Sequence, residues 1–132
     1  MLFVIERFKF FAASNHPFFS KDGDISQLAQ DDNMTPPVAI IGGTGLTVLD
    51  TLKMIRQETV STPYGRPSSP LMHGELDGHP VVFLARHGLQ HTLPPHRINY
   101  RANLWALHHV GVQQVIAVAA VGGIRADMAP GV

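Results

Sequence analysis

Two short runs constrain this chain most. Val81-Val-Phe-Leu-Ala85 and Val115-Ile-Ala-Val-Ala-Ala-Val121 are each apolar without interruption. A strand with one solvated face alternates apolar and polar residues. A strand apolar at every position needs cover on both faces, and so belongs inside a sheet. Between the two runs lies Tyr100–Val110, preceded by Asn99 and followed by Gly111. Asn at the N-cap and Gly just past the C-cap are helix boundary signals. Strand, helix, strand of this kind predicts an α/β fold, a mixed β-sheet flanked by helices. Leu104 and Leu107, with Trp105 beside them, are expected to form the helix's core face.

The remaining segments fit around that unit. Val38–Ile41 is bounded by Pro36-Pro37 and Gly42-Gly43 and reads as a buried strand. Leu46–Ile55 reads as a short helix or irregular segment, and Glu58–Ser61 as extended. Thr62–Pro70 is a loop by its Pro and Gly content. Leu71–Leu76 and Pro80–Ala85 flank Asp77-Gly78, a two-residue hairpin signal. Arg86–Ile98 is a loop rich in His and Pro.

Residues 1–35 read differently from the rest. Met1–Phe11 is apolar and aromatic but interrupted by Glu6, Arg7 and Lys9, too short to span a membrane and ordered unlike a signal peptide. A cytoplasmic location follows as an expectation. Met1–Phe11 could form a small strand or an interfacial segment. Lys21–Thr35 is polar and acidic and reads as a linker. Because a polar linker cannot hold the leader against a sheet by local contacts, residues 1–33 are expected to be dispensable and poorly ordered. At the other end, Pro130-Gly131 is a turn signal leading onward, which reads as a cut in mid-domain.

Composition excludes several chemistries. Ten Lys plus Arg balance ten Asp plus Glu, so there is no surplus of positive charge for a nucleic-acid backbone. A single phosphate, needing one or two Arg and some N–H groups, stays open. The absence of cysteine removes disulfides, thiolate nucleophiles and thiolate metal sites. Of eight histidines, His87, His91 and His96 are spaced as a conceivable metal cluster. They sit in a loop broken by Pro94-Pro95 without a His-Glu-x-x-His helix, so a solvated loop is the preferred reading. Ser68 and Ser69 lie in a proline loop without the strand-to-helix setting of a nucleophile elbow.

Three places remain for an anion. Gly42-Gly-Thr-Gly45 follows a strand directly; its glycines allow a sharp turn with accessible N–H groups, and Thr44 adds a hydroxyl. The spacing matches neither the dinucleotide nor the P-loop pattern, so a plain tight turn and an anion cradle both fit. Arg86 and His87 follow an apolar strand, at the strand end where open α/β sheets bind ligands. Arg86 offers a fork of donors, and His87 a ring that can donate or accept a hydrogen bond. Gly122-Gly123, after the last strand, suits either a close ligand approach or a packing turn.

Five stretches taken together resemble one family. They are Val-Ala-Ile-Ile-Gly-Gly-Thr-Gly-Leu (38–46), Thr-Pro-Tyr-Gly-Arg-Pro-Ser (62–68), Phe-Leu-Ala-Arg-His-Gly (83–88), Asn-Tyr-Arg-Ala-Asn-Leu-Trp-Ala-Leu (99–107) and Ala-Val-Gly-Gly (120–123). In this order they resemble the purine nucleoside and methylthioadenosine phosphorylases, most closely the bacterial S-methyl-5'-thioinosine phosphorylase branch. The adenosine-specific branch usually has Cys-Gly-Ser where this chain has Val121-Gly122-Gly123. The resemblance covers about Pro37 to Val132; Met34-Thr-Pro-Pro looks like the natural start of such an enzyme.

The resemblance implies a nucleoside phosphorylase-like sheet, here incomplete: residues 1–35 as a leader and linker, 36–132 as the N-terminal half of the domain. It implies phosphorolysis of a purine nucleoside in purine salvage, with inorganic phosphate as co-substrate, no other cofactor and no metal. It places phosphate on Thr44, Arg86, His87, Ala119 and Ala120. Family members often have Thr or Asn where Ala119 stands, so one side-chain hydrogen bond would be missing. No catalytic residue is identified, because the purine pocket and ribose contacts lie in the family's second half. Partners are a purine nucleoside and phosphate, with neither nucleic acid nor membrane, in a homotrimer when full length. The 132 residues alone are expected to be inactive and to leave an apolar face or sheet edge open.

Overall fold

The computed structural model describes residues 2–9, 36–43, 46 and 51–121. Its strands are β1 (Leu2–Lys9), β2 (Val38–Gly42), β3 (Lys53–Glu58), β4 (Leu71–Leu76), β5 (His79–Ala85) and β6 (Gln114–Val121); its α-helix is α1 (Tyr100–His109). They form a mixed six-stranded sheet in the order β1-β6-β2-β5-β4-β3. β2 is parallel to both β5 and β6, while β3, β4 and β5 form an antiparallel meander. The chain therefore runs β5, α1, β6, passing over β2. The predicted strand–helix–strand unit is this crossover.

Period-two alternation divides the core between the two faces. Ala39, Ile41, Leu71, Val82, Leu84 and Val115 point to the α1 side, where they meet Ala106, Leu107 and Val112. Met72, Phe83 and Ala85 point to the other side and pack with Ile40, Leu46 and Leu52. Every residue from Val81 to Ala85 is buried, as its uninterrupted apolar run requires. Fully burying such a side chain is worth about 1.5–3 kcal/mol.

Local signals set the element ends. Asp77 (φ 49°) and Gly78 (φ 78°) both take positive φ, the paired requirement of a type I′ hairpin turn. The Asn99 side chain accepts from Ala102 N–H at 3.1 Å and caps α1. At the other end Gly111 takes φ 86°, its N–H bonding His108 O and the Val112 N–H bonding Leu107 O. Those two bonds are the Schellman stop.

Three expectations are corrected. Lys53–Ile55 belongs to strand β3, not to a helix or irregular segment, and the extended stretch ends at Glu58. Pairing with β4 decides this against a sequence with no alternation, since Met54 and Ile55 are both exposed. Leu104 is exposed and Trp105 only partly buried, stacked on His109 at 4.7 Å. Leu107 is buried as expected, and smaller residues, Ala102, Asn103 and Ala106, make up the rest of the buried face of α1. The leader was expected to find no hold on the sheet, yet β1 pairs antiparallel with β6 over eight residues. The partner is distant in sequence, so the argument from local contacts missed it. The outer strands of the described sheet are β1 and β3, with β6 lying between β1 and β2.

Candidate functional site

The parallel strands β2, β5 and β6 end on the same side of the sheet. Gly42 registers with Ala85, and the Arg86 N–H continues the ladder to Gly42 O at 2.9 Å. The backbone after β5 is thereby fixed beside the glycine loop. Gly43 is buried under the Arg86 side chain. A Cβ there would collide with Arg86 Nη2 and would lie 2.6 Å from Val118 O of β6. Glycine at 43 is thus required by close approach: it leaves room for the guanidinium just past the end of β2, beside Val118 of β6. Among the described residues no carboxylate pairs with Arg86. The fork of donors on a guanidinium fits the oxygens of an anion.

His87 is buried and more restrained. Its Nδ1 lies 2.8 Å from Leu93 O, and the Leu93 N–H returns to His87 O at 3.0 Å. A carbonyl only accepts, so Nδ1 carries a proton and Nε2 is left for a ligand. Toward a phosphate dianion Nε2 would have to be protonated. Toward the monoanion a neutral ring would accept the phosphate O–H. The His91 ring lies 4.7 Å from that of His87, and His96 is exposed in a 3₁₀ turn, Pro95–Arg97. Among the described residues no three His, Asp or Glu side chains converge on a metal position.

Of the five predicted phosphate residues, Arg86 has its guanidinium beside Gly43, which also lies close to Val118 O of β6; Ala119 and Ala120 follow Val118 in that strand and are half-buried. His87 adjoins Arg86 in the same turn. Thr44 lies outside the described residues, as do Gly122 and Gly123. The site's support comes from residues that sequence reasoning passed over. The Ser69 hydroxyl accepts the Ala85 N–H at 3.1 Å and donates to Pro70 O at 2.9 Å. Buried Asn103 accepts the Ser68 N–H at 2.8 Å and donates to Ser68 Oγ at 3.0 Å, and Asn99 donates to Tyr64 O at 2.6 Å. These bonds hold the 62–70 loop between α1 and the strand end that carries Arg86. The only sequence signal was a polar residue, Asn103, on a helix face that otherwise carries Ala and Leu.

The sequence profile of the Phosphorylase superfamily matches residues 37–132. The chain belongs to that superfamily. Over 96 residues it is 51% identical to a probable 6-oxopurine nucleoside phosphorylase of Thermococcus kodakarensis, covering 73% of this chain and 35% of the relative. Over 93 residues it is 53% identical to a probable S-methyl-5'-thioinosine phosphorylase of Pseudomonas syringae, covering 70% and 38%. Among solved structures, methylthioadenosine phosphorylase from Schistosoma mansoni in complex with adenine superposes with a TM-score of 0.56 at 41% identity, covering 59% of this chain and 27% of that one. The mixed sheet is thus that of the phosphorylase superfamily, and the chain spans about a third of the length of the curated relatives it matches. Among the described residues no helix is long and apolar enough to cross a membrane.

Proposed function

We propose that this chain supplies the phosphate-holding part of a purine nucleoside phosphorolysis site. The observation that carries the reading is the Arg86 guanidinium lying over Gly43, where β2 and β5 end together beside β6. Arg86 donates to phosphate oxygens, His87 meets the anion through Nε2, and Thr44 with the backbone of Ala119 and Ala120 completes the cradle. A phosphate oxygen attacks C1′ of the sugar as the C1′–N9 bond breaks; the purine leaves and takes up a proton. The sugar is cationic in the transition state, so a held phosphate is both nucleophile and counter-charge. The nucleoside is S-methyl-5'-thioinosine on the resemblance at Ala120–Gly123, giving hypoxanthine and 5-methylthioribose 1-phosphate. A relative named S-methyl-5'-thioadenosine phosphorylase matches at 53% identity, much as those named for oxopurine substrates do, so overall likeness does not choose the base. A cytoplasmic homotrimer belongs to the same reading.

The 132 residues hold phosphate but not the nucleoside beside it. Orientation supplies about 7–11 kcal/mol in well-aligned model reactions, and that part is missing from half a site. The test follows phosphate binding and, with methylthioinosine added, hypoxanthine release, beside the full-length Pseudomonas relative. Phosphate binding with turnover far below the relative's supports the reading. Turnover within about tenfold, a gap of only ~1.4 kcal/mol in barrier, would show that these residues hold the nucleoside as well. Failure to bind phosphate would overturn the assignment.

A further inference from the structure

The ladder between β4 and β5 ends in an unusual way at the residue before Arg86. The Arg86 N–H bonds Gly42 O of β2, so by strand alternation the N–H and C=O of Ala85 face the other way, toward β4. Continuing the β4–β5 register past Met72↔Phe83 sets Pro70 opposite Ala85. Neither of the two bonds such a pair would exchange is made directly. Proline has no N–H, so Ala85 O takes the Gly88 N–H instead, at 3.0 Å. The Ala85 N–H reaches Pro70 O only through the buried Ser69 hydroxyl, which accepts at 3.1 Å and donates at 2.9 Å. One hydroxyl therefore stands as a spacer between the end of β5 and Pro70. The freed Ala85 O closes the four-residue turn Ala85–Gly88, which carries Arg86 and His87. Gly88 completes the turn with φ 80°, and a Cβ there would lie 3.4 Å from Ser68 O, so the turn packs on the same Ser68-Ser69 pair.

We propose, on the reading of Arg86 and His87 as phosphate ligands, that Ser69 is a positioning residue for the anion. It acts through Ala85. Its hydroxyl sets the gap between Pro70 and Ala85, and so the direction in which the next two residues present guanidinium and imidazole. Without the hydroxyl, either the Ala85 N–H is left unpaired or the end of β5 moves in to bond Pro70 O directly. Both outcomes shift Arg86 against Gly43, where the clearance is already that of close contact. Pro70 has the complementary part. An N–H at position 70 would compete with Gly88 for Ala85 O and draw the turn into the ladder.

The test combines phosphate titration with hydrogen exchange at Gly88, read against Phe83 in the same molecule, in the parent chain, Ser69→Ala and Val112→Ala. Val112→Ala removes buried volume after α1 but none of the turn's hydrogen bonds, so it reports loss of stability alone. In Ser69→Ala the Gly88 amide should exchange at least about tenfold faster relative to Phe83. Phosphate should bind about tenfold more weakly. Val112→Ala should leave phosphate affinity within about twofold of the parent. Should Ser69→Ala unfold, Pro70→Ala replaces it, with the same two effects expected. A parent that binds phosphate and a Ser69→Ala variant that binds it equally well would overturn the positioning role and leave the phosphate reading standing. Unchanged relative exchange at Gly88 would overturn it too, and so would equal losses of affinity in Ser69→Ala and Val112→Ala. A parent that binds no phosphate would overturn both readings.

Discussion

The guanidinium of Arg86 occupies the space that a side chain at Gly43 would fill. The two residues follow different strands, and each is needed for the other's position. Gly43→Ala should push Arg86 aside or strain the backbone against Val118 O, which is not free to move. Phosphate affinity should fall by about tenfold or more, equivalent to ~1.4 kcal/mol, in a phosphate titration. Affinity equal to the parent's would separate Gly43 from the site.

Asn103 serves the same end from α1. Asn103→Ala removes both bonds to Ser68 and strands a backbone N–H that the amide had satisfied. Leaving such a group unpaired should cost about 2–3 kcal/mol in denaturant unfolding. A loss below about 0.5 kcal/mol would mean that water replaces the amide without penalty.

His87 separates fold from ligand. In His87→Asn the amide nitrogen stands near the place of Nδ1 and can still donate to Leu93 O, while Nε2 is gone. Stability should stay within about 1 kcal/mol of the parent while phosphate binds about tenfold more weakly. An unchanged phosphate titration would remove His87 from the cradle.

How much of this was legible in the sequence depended on the distance between partners. The Asp77-Gly78 turn and the Asn99 cap were readable because each is decided within four residues. That Arg86 and Gly43 come together was readable because each follows an apolar strand, and parallel strands end on the same side. The role of Asn103 was not, since its partner Ser68 is 35 residues away. β3 was hidden because an edge strand exposed on both faces leaves no periodic pattern. For β1 a strand within Met1–Phe11 was among the readings, but its hold on β6 was hidden because the two are more than a hundred residues apart.

Protonation of His73 opposes folding. Burial lowers its pKa below the ordinary 6.5; the Arg56 charge lowers it further, and Glu58 acts the other way. Its Nε2 lies 3.0 Å from Glu58 Oε2 but lacks an aligned hydrogen-bond acceptor, while Glu58 is held by Arg56 at 2.6 Å. With the folded pKa below the unfolded one, the unfolded chain binds the proton first. Stability is therefore full above about pH 6.5 and declines as pH falls from there through the folded value. His73→Gln should flatten this part of the stability–pH curve. A curve for the variant as steep as the parent's between pH 7.5 and 5 would assign the acid loss elsewhere.

The most direct measurement is a titration of the 132-residue chain with inorganic phosphate, compared with Arg86→Ala and His96→Ala. Arg86 lies across Gly43 at the strand ends, whereas His96 is exposed in the 3₁₀ turn beyond Pro94. Charge-assisted hydrogen bonds are worth about 1.5–3 kcal/mol, so Arg86→Ala should weaken phosphate roughly 10- to 150-fold. His96→Ala should leave the affinity within about twofold of the parent. Equal affinities for the two variants would contradict the site and with it the phosphorolytic reading of this chain.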